Sequence, residues 1–223
     1  MINTKYWEGF IMADGCITKG SRGKTKLVVE LKEEDFDHLV KLNKDFNIGN
    51  KIDIRTRKLE GDKFKSNEST SCKLSTMKPD IISYLSKRGI IRAKTFTCFA
   101  NKSQTKSIDF WRGILDGDGC LMYNFSKAKN NYIPIVVLTT GSEKLIKQYQ
   151  EYLKELGIES NYTTRKNGKT FDLKITHRKA HKLVTHLYSN AKISLDRKQR
   201  IADKIMAHYT QVTATNNVYL SVT

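Results

Sequence analysis

The strongest constraint on this chain is that it contains one segment twice. Residues 7–17 (Trp-Glu-Gly-Phe-Ile-Met-Ala-Asp-Gly-Cys-Ile) return at residues 111–121 (Trp-Arg-Gly-Ile-Leu-Asp-Gly-Asp-Gly-Cys-Leu), 104 positions further on in a chain of 223. Trp, Gly, Asp, Gly and Cys coincide at five of these positions. A solenoid needs three or more repeats to bury a continuous core, so two copies point to a pseudo-twofold pair of like units.

The stretches after each copy correspond as well. After the first, strands are expected at 16–21 and 26–32 and a helix near 34–46; after the second, strands at 120–126 and 133–140 and a helix near 142–156. Apolar residues at helical spacing mark both helices: Phe36, Leu39, Val40, Leu42 and Phe46, then Leu145, Ile146, Tyr149, Leu153 and Leu156. Two further strands (51–58 and 71–76; 161–166 and 170–176) and a helix (79–87; 178–188) complete each unit, and a last helix, 196–208, closes the second. The unit reads α-β-β-α-β-β-α, twice. The chain is therefore expected to be α+β, with an N-terminal unit 1–99, a polar linker 100–107, a C-terminal unit 108–208 and a loosely patterned tail 209–223.

Each repeated segment begins as a helix, with Tyr6, Phe10 and Ile11 and then Phe110, Ile114 and Leu115 at core spacing. Each ends in Asp-Gly, where Gly15 and Gly119 suit a left-handed C-terminal cap. Gly9 and Gly113 fall mid-helix, at a cost of about 1 kcal/mol each against Ala. Close approach of two helix backbones offsets such a cost, so the two copies are expected to pack on each other through these glycines. Asp14 and Asp118 then lie side by side at helix C-termini, the negative end of the dipole. Paired carboxylates so placed are best tolerated beside cations. Mg²⁺ takes one or two carboxylates with waters and phosphate oxygens, and two metals flanking a phosphate activate water and stabilise the leaving oxygen.

On these two segments the chain resembles the LAGLIDADG family of intron- and intein-encoded homing endonucleases, in its two-motif, single-chain form. The flanking pattern extends the likeness over nearly the whole chain, and Leu31-Lys32-Glu33-Glu34-Asp35 and the run from Leu187-Tyr188 to Leu195-Asp196-Arg197-Lys198 look familial too. The resemblance implies two pseudo-symmetric αββαββα units whose antiparallel strands form a DNA-binding saddle. It implies a Mg²⁺-dependent, monomeric, intron-encoded or freestanding enzyme that hydrolyses one phosphodiester in each strand of a long asymmetric target, across the minor groove, leaving short 3′ overhangs. The family's metal-binding acid, at the eighth motif position, maps onto Asp14 and Asp118, which would hold two or three divalent ions with help from the carbonyl region of Gly15 or Gly119. The sixth position, often acidic in the family, is Met12 in one copy and Asp116 in the other, and Asp116 is not expected to be a ligand. The family also places a basic residue near each cleavage centre. Lys94 and Lys198, again 104 apart, are the candidates, since an ammonium there stabilises phosphate charge in the transition state. Two other functions live on this fold: a maturase that assists splicing of its host group I intron RNA, and a DNA-binding regulator that has lost catalysis. A dead regulator is expected to lack a motif acid, and both are present; a maturase stays open, because the same basic surface suits an RNA backbone. No intein splicing blocks are visible.

The bulk charge agrees with a polyanionic partner. Lys and Arg number 40 against 23 acids, a formal +17 spread along the chain. The strands alternate: Leu27, Val29 and Leu31 against Lys26, Val28, Glu30 and Lys32; Ile52 and Ile54 against Lys51, Asp53, Arg55 and Arg57; Phe171, Leu173 and Ile175 against Thr170, Asp172, Lys174 and Thr176. The apolar side is for helices to cover. The other mixes lysines for phosphates with Arg, Asn, Gln or Asp for base edges in a major groove. The DNA-contacting set is therefore Lys26, Lys32, Arg55, Arg57, Arg165 and Lys174 on strands, with Arg22, Lys24, Lys63 and Lys65 in connecting loops.

Other chemistries find little support. No stretch approaches the ~20 apolar residues of a membrane span, and the first residues lack the order of a signal peptide. A soluble intracellular protein, of the cytoplasm or nucleoid or an organelle matrix, is expected. Cys16, Cys72, Cys98 and Cys120 form no C-x-x-C pair, so free and mostly buried thiols are expected. His177 and His181 are one helical turn apart but have no third ligand in view, and the Gly-Ser-Arg-Gly turn at residues 20–23 lacks the Lys-Ser/Thr of a phosphate loop.

Overall fold

The computed structural model describes residues 3–20, 23–58, 68–127, 130–166 and 168–220, with side chains up to residue 208. In the first half α1 (Thr4–Asp14) feeds the hairpin β1 (Gly15–Lys19) and β2 (Thr25–Lys32), followed by α2 (Phe36–Asp45), β3 (Asp53–Lys58), β4 (Glu68–Thr76) and α3 (Pro79–Ser86). A short helix, α4 (Lys102–Thr105), then precedes the second half: α5 (Ile108–Asp118), β5 (Gly119–Ser126), β6 (Asn131–Thr140), α6 (Glu143–Glu155), β7 (Tyr162–Thr164), β8 (Phe171–Thr176), α7 (His177–Tyr188) and α8 (Asp196–Leu220). Each half holds one antiparallel four-stranded sheet, in the orders β1-β2-β4-β3 and β5-β6-β8-β7. The same order twice is the pseudo-twofold pair that the repeat required, and the α+β class holds.

Local chemistry sets the element ends. Ser107 caps α5 by accepting from the Phe110 amide at 3.2 Å, and Ser142 caps α6 from the Leu145 amide at 3.2 Å. Pro79 opens α3, where its missing N–H costs nothing. Pro134 sits in β6 one residue before the ladder to β8 begins at Ile135, so no inter-strand bond to β8 is lost there.

The two motif helices pack at the centre. Tyr6, Trp7, Phe10 and Ile11 of α1 and Phe110, Trp111, Ile114 and Leu115 of α5 are wholly buried in one core that spans both halves. Glycine makes the contact. A Cβ on Gly9 would lie 2.1 Å from Phe110 O, and one on Gly113 would lie 2.1 Å from Tyr6 O.

Several sequence expectations need correcting. Gly15 and Gly119 are not left-handed caps; their φ values are −81° and −87° with extended ψ. Glycine is needed there for space, since a Cβ would lie 2.6 Å from Ile11 O and 2.5 Å from Leu115 O respectively. Ile54 lies on the helix-covered side of its sheet, level with buried Cys72, but is 56% exposed, because β3 is an edge strand whose residues are all exposed. The region 100–107 holds a short helix, α4, behind a capping box between Asn101 and Gln104. The last helix runs on past His208 to Leu220. All four cysteines are free, but Cys16 and Cys120 are exposed and only Cys72 and Cys98 are buried. Among the described residues no helix is long and apolar enough to cross a membrane.

Candidate active site and nucleic-acid face

Asp14 and Asp118 end α1 and α5, which are held together by the glycine contact, so the carboxylates converge. A Cβ on Gly117, next to Asp118, would lie 3.5 Å from the Asp14 carboxyl carbon. Both side chains stay open to solvent on one side while protein crowds the other. Desolvation by that crowding raises both pKa values, Asp118 to about 6; the Asp14 charge adds to the rise at Asp118, and Lys94 and Lys198 oppose it at both acids. Arg197, tied across the halves to Asp35 at 3.1 Å, is a further cation that lowers Asp14.

The two lysines approach this centre differently. Lys198 is only 2% exposed, and its Nζ donates to Leu115 O (2.5 Å), Asp116 O (2.6 Å) and Gly119 O (2.7 Å). These are carbonyls at the end of α5, where a cation offsets the dipole. Burial lowers the Lys198 pKa to about 8, opposed by the Asp116 and Asp14 carboxylates, and three carbonyl acceptors use all three hydrogens of the charged form. The Gly119 carbonyl is thereby committed to a cation of the protein itself. Lys94 lies in a 3-10 turn (Lys94–Phe96) and is 8% exposed, and its Nζ reaches only a long 3.5 Å contact with Ala13 O. Burial lowers its pKa too, with Cys98, Asp118, Cys16 and Asp14 acting the other way.

Asp116 lies inside the core with its carboxylate taken up by hydrogen bonds. It is fully buried and accepts from Tyr188 Oη (2.7 Å), Tyr6 Oη (2.7 Å) and the Leu195 amide (2.7 Å). Tyr6 Oη also meets His38 Nε2 at 2.9 Å, and burial holds His38 neutral by lowering its pKa to about 3. The first half has a related anchor at another position. Glu8, 1% exposed, accepts from Tyr84 Oη (2.6 Å), Arg88 Nε (2.8 Å), Gln104 Nε2 (3.0 Å) and Lys5 Nζ (3.1 Å). Its counterpart Arg112 donates instead to Leu187 O (2.9 Å) and Ile193 O (2.8 Å) and pairs with Asp109. Sequence reading missed the tyrosines, although Tyr84 and Tyr188 keep the 104-residue offset of the motif.

No cluster of three or more His, Cys, Asp or Glu forms a metal cage among the described residues. Two open carboxylates whose pKa values are raised by crowding, and in Asp118 by the other's charge, are a donor set that a divalent ion relieves, and they leave coordination positions for water and phosphate oxygens.

The sheet faces turned away from the helices follow from register. In the first sheet Thr18, Lys26, Val28, Glu30 and Lys32 share a face with Ser75, Lys73, Ser71, Asp53, Arg55 and Arg57. Lys24 is exposed in the loop before β2, whereas Arg22, Lys63 and Lys65 lie outside the described residues. Arg57 pairs with Glu30 at 3.2 Å and Lys73 with Asp53 at 3.7 Å. In the second sheet the corresponding face carries Lys174, which is exposed, and Arg165, bonded to Asp172 at 2.5 Å and to Thr139 at 3.3 Å. Asp172 lies where alternation put it, and Lys73 and Thr139 are members of these faces that the sequence did not single out.

Comparison with known proteins agrees with this architecture. The model of the LAGLIDADG-like domain matches residues 106–205. The LAGLIDADG homing endonuclease I-GzeII, solved in complex with its DNA target, is similar over 100% of this chain and 96% of its own, with a TM-score of 0.64 and 13% identity. The meganuclease I-SmaMI, bound to uncleaveable DNA, is similar over 93% and 91%, with a TM-score of 0.62 and 13% identity. I-DmoI, in complex with DNA and Ca, is similar over 91% and 97%, with a TM-score of 0.57 and 17% identity. No curated protein matches the sequence. The chain thus carries a LAGLIDADG-like domain in its second half and has, across both halves, the fold of the LAGLIDADG homing endonucleases.

Proposed function

We propose that the chain is a site-specific, divalent-metal-dependent endonuclease that hydrolyses both strands of a long, asymmetric duplex DNA target. The observation that carries this reading is the convergence of Asp14 and Asp118 at the paired ends of α1 and α5, with two buried lysines acting on both acids. Structures of the same fold were solved with DNA targets and with Ca or Mn, which supports both partner and metal. Mg²⁺ is the ion proposed here.

Asp14 and Asp118 would hold the metal, which when bound supplies Lewis acidity to the phosphate and to an attacking water. The protein's own groups do the rest. Lys94, whose ammonium has only a long contact at 3.5 Å, can turn to a non-bridging phosphate oxygen. Lys198 fixes the end of α5 and so the position of Asp118. The two halves carry different side chains on equivalent faces, so the two half-sites need not be palindromic.

The test is cleavage of a randomised duplex library in Mg²⁺ and in EDTA by the wild type, Asp14→Asn and Asp118→Asn. Metal-dependent cutting of one long site, lost in both variants, is the expected result. Salt-sensitive binding of DNA or of intron RNA without any cutting by the wild type would move the function to a regulator or a maturase.

A further inference from the structure

The two open sheet faces differ in chemistry. Among the described strand residues, that of the first half carries five bases, Lys26, Lys32, Arg55, Arg57 and Lys73, against Glu30 and Asp53, with Val28 as the one aliphatic side chain. That of the second half has at its centre Met122, Ile133, Ile135 and Val137. Register sets Met122 opposite Ile135 on β5 and β6, and Val137 opposite Lys174 on β6 and β8. Each of the four is half-buried, and none packs on the core, which β6 meets through Val136 and Leu138 on its other side. β6 is thus apolar on both faces, against the usual rule that an antiparallel strand with one solvated side alternates.

We propose that the second half reads its half-site through thymine 5-methyl groups, with Ile133, Ile135, Val137 and Met122 as the contacting side chains, while the first half reads by charge and hydrogen bonding. This rests on the DNA-binding reading above. The apolar group on a major-groove base edge is the thymine methyl, and aliphatic side chains contact it. The four residues line up along β5 and β6, so they meet successive base pairs and not one. Arg165, locked to Asp172 and Thr139, is the polar reader beside them. The first face instead offers guanidinium and ammonium groups, which suit guanine edges and phosphates. The two halves therefore differ in the kind of contact as well as in the sequence read.

The experiment uses the full chain and duplexes recovered by binding from a randomised double-stranded library in EDTA, where cutting is prevented. In the recovered duplex, all thymidines of one half-site and then of the other are replaced by deoxyuridine, which lacks the methyl but pairs identically. Binding is read by fluorescence anisotropy. In one half Kd should rise roughly fourfold per contacted methyl, the transfer value of one such group, and in the other it should change less than about twofold. The double variant Ile135→Ala, Val137→Ala should flatten the sensitive half alone. Deoxyuridine tolerated in both halves, or felt equally in both, by a wild-type protein that still binds the parent duplex overturns the proposal and leaves the DNA reading intact. No duplex recovered at all overturns both. The nucleotide substitution needs no variant, so the outcome does not depend on a mutant folding.

Discussion

Replacing Gly113 by Ala separates two forces that act in opposite directions. Helix propensity alone favours the change by about 1 kcal/mol. The geometry opposes it, because the new Cβ would sit 2.1 Å from Tyr6 O and 2.7 Å from the Phe10 amide nitrogen, both backbone atoms that cannot rotate away. Reaching ordinary contact requires α1 and α5 to part by about 1 Å, and a gap of that size forfeits a quarter to a half of each dispersion contact along the seam. Overpacking of a rigid core costs about 1–3 kcal/mol, and a backbone clash belongs at the top of that range. The net loss is then roughly 2 kcal/mol, or a fall in Tm of about 4–8 °C for a chain of this size. Gly9→Ala should behave alike, since its Cβ meets Phe110 O at the same 2.1 Å. Thermal unfolding of the metal-free protein, followed by circular dichroism, measures the effect. A Tm unchanged or raised in Gly113→Ala would refute the close-approach argument, because propensity would then be the only term at work.

Three further outcomes follow from the same centre. A Cβ on Gly117 would lie 2.4 Å from Ala13 Cβ, so Gly117→Ala should lower Tm and the exchange Ala13→Gly, Gly117→Ala should restore most of it; failure of the exchange to rescue would contradict the pairing. Asp118 has its pKa raised from 3.8 to about 6, first by desolvation and then by Asp14, so between these values the folded protein holds a proton that the unfolded chain has released, and stability falls as pH rises through that window. In metal-free protein at pH 7.5, Asp118→Asn should therefore be more stable than wild type by on the order of 1 kcal/mol after allowance for solvent screening, an advantage that should vanish in urea melts below about pH 4. Lys198→Met removes three carbonyl bonds and should cost on the order of 3 kcal/mol in urea unfolding, against less than about 1 kcal/mol for Lys94→Met, whose ammonium has only a 3.5 Å contact; equal losses would remove the distinction between the two lysines.

Gly9 and Gly113 were legible because a mid-helix glycine costs free energy unless a neighbour needs the space, and the duplicated frame named that neighbour. The strand faces were legible wherever a strand is flanked on both sides, as at Leu27, Val29, Leu173 and Ile175. Alternation sets Ile54 on the right side of its sheet but cannot tell an edge strand from a central one, and the edge position that leaves it exposed is a property of the whole sheet. The glycines after the motif acids were assigned a backbone conformation when the constraint is contact with the preceding turn. The anchors on Glu8 and Asp116 join residues far apart in the chain, and only the recurring offset of Tyr84 and Tyr188 hinted at them. The apolar outer face of β6 stayed hidden because a run of aliphatic residues does not say which of its members the core leaves uncovered.

The bond from Tyr6 to Asp116 bears on which assemblies the two units can form. Tyr6 belongs to the first half and Asp116 to the second, and their repeat counterparts are Phe110 and Met12. Pairing the second unit with a copy of itself would bring Phe110 to Asp116 and strip a buried carboxylate of one of its three donors. Pairing the first unit with itself would set Met12 against Tyr6 and leave that hydroxyl only His38. The present arrangement satisfies Asp116 with Tyr6 and leaves the apolar pair, Met12 and Phe110, buried in the common core with no hydroxyl or carboxylate to match. The units are therefore lock and key to each other and misfits to themselves, which disfavours domain-exchanged homodimers and rewards joining the two in one chain.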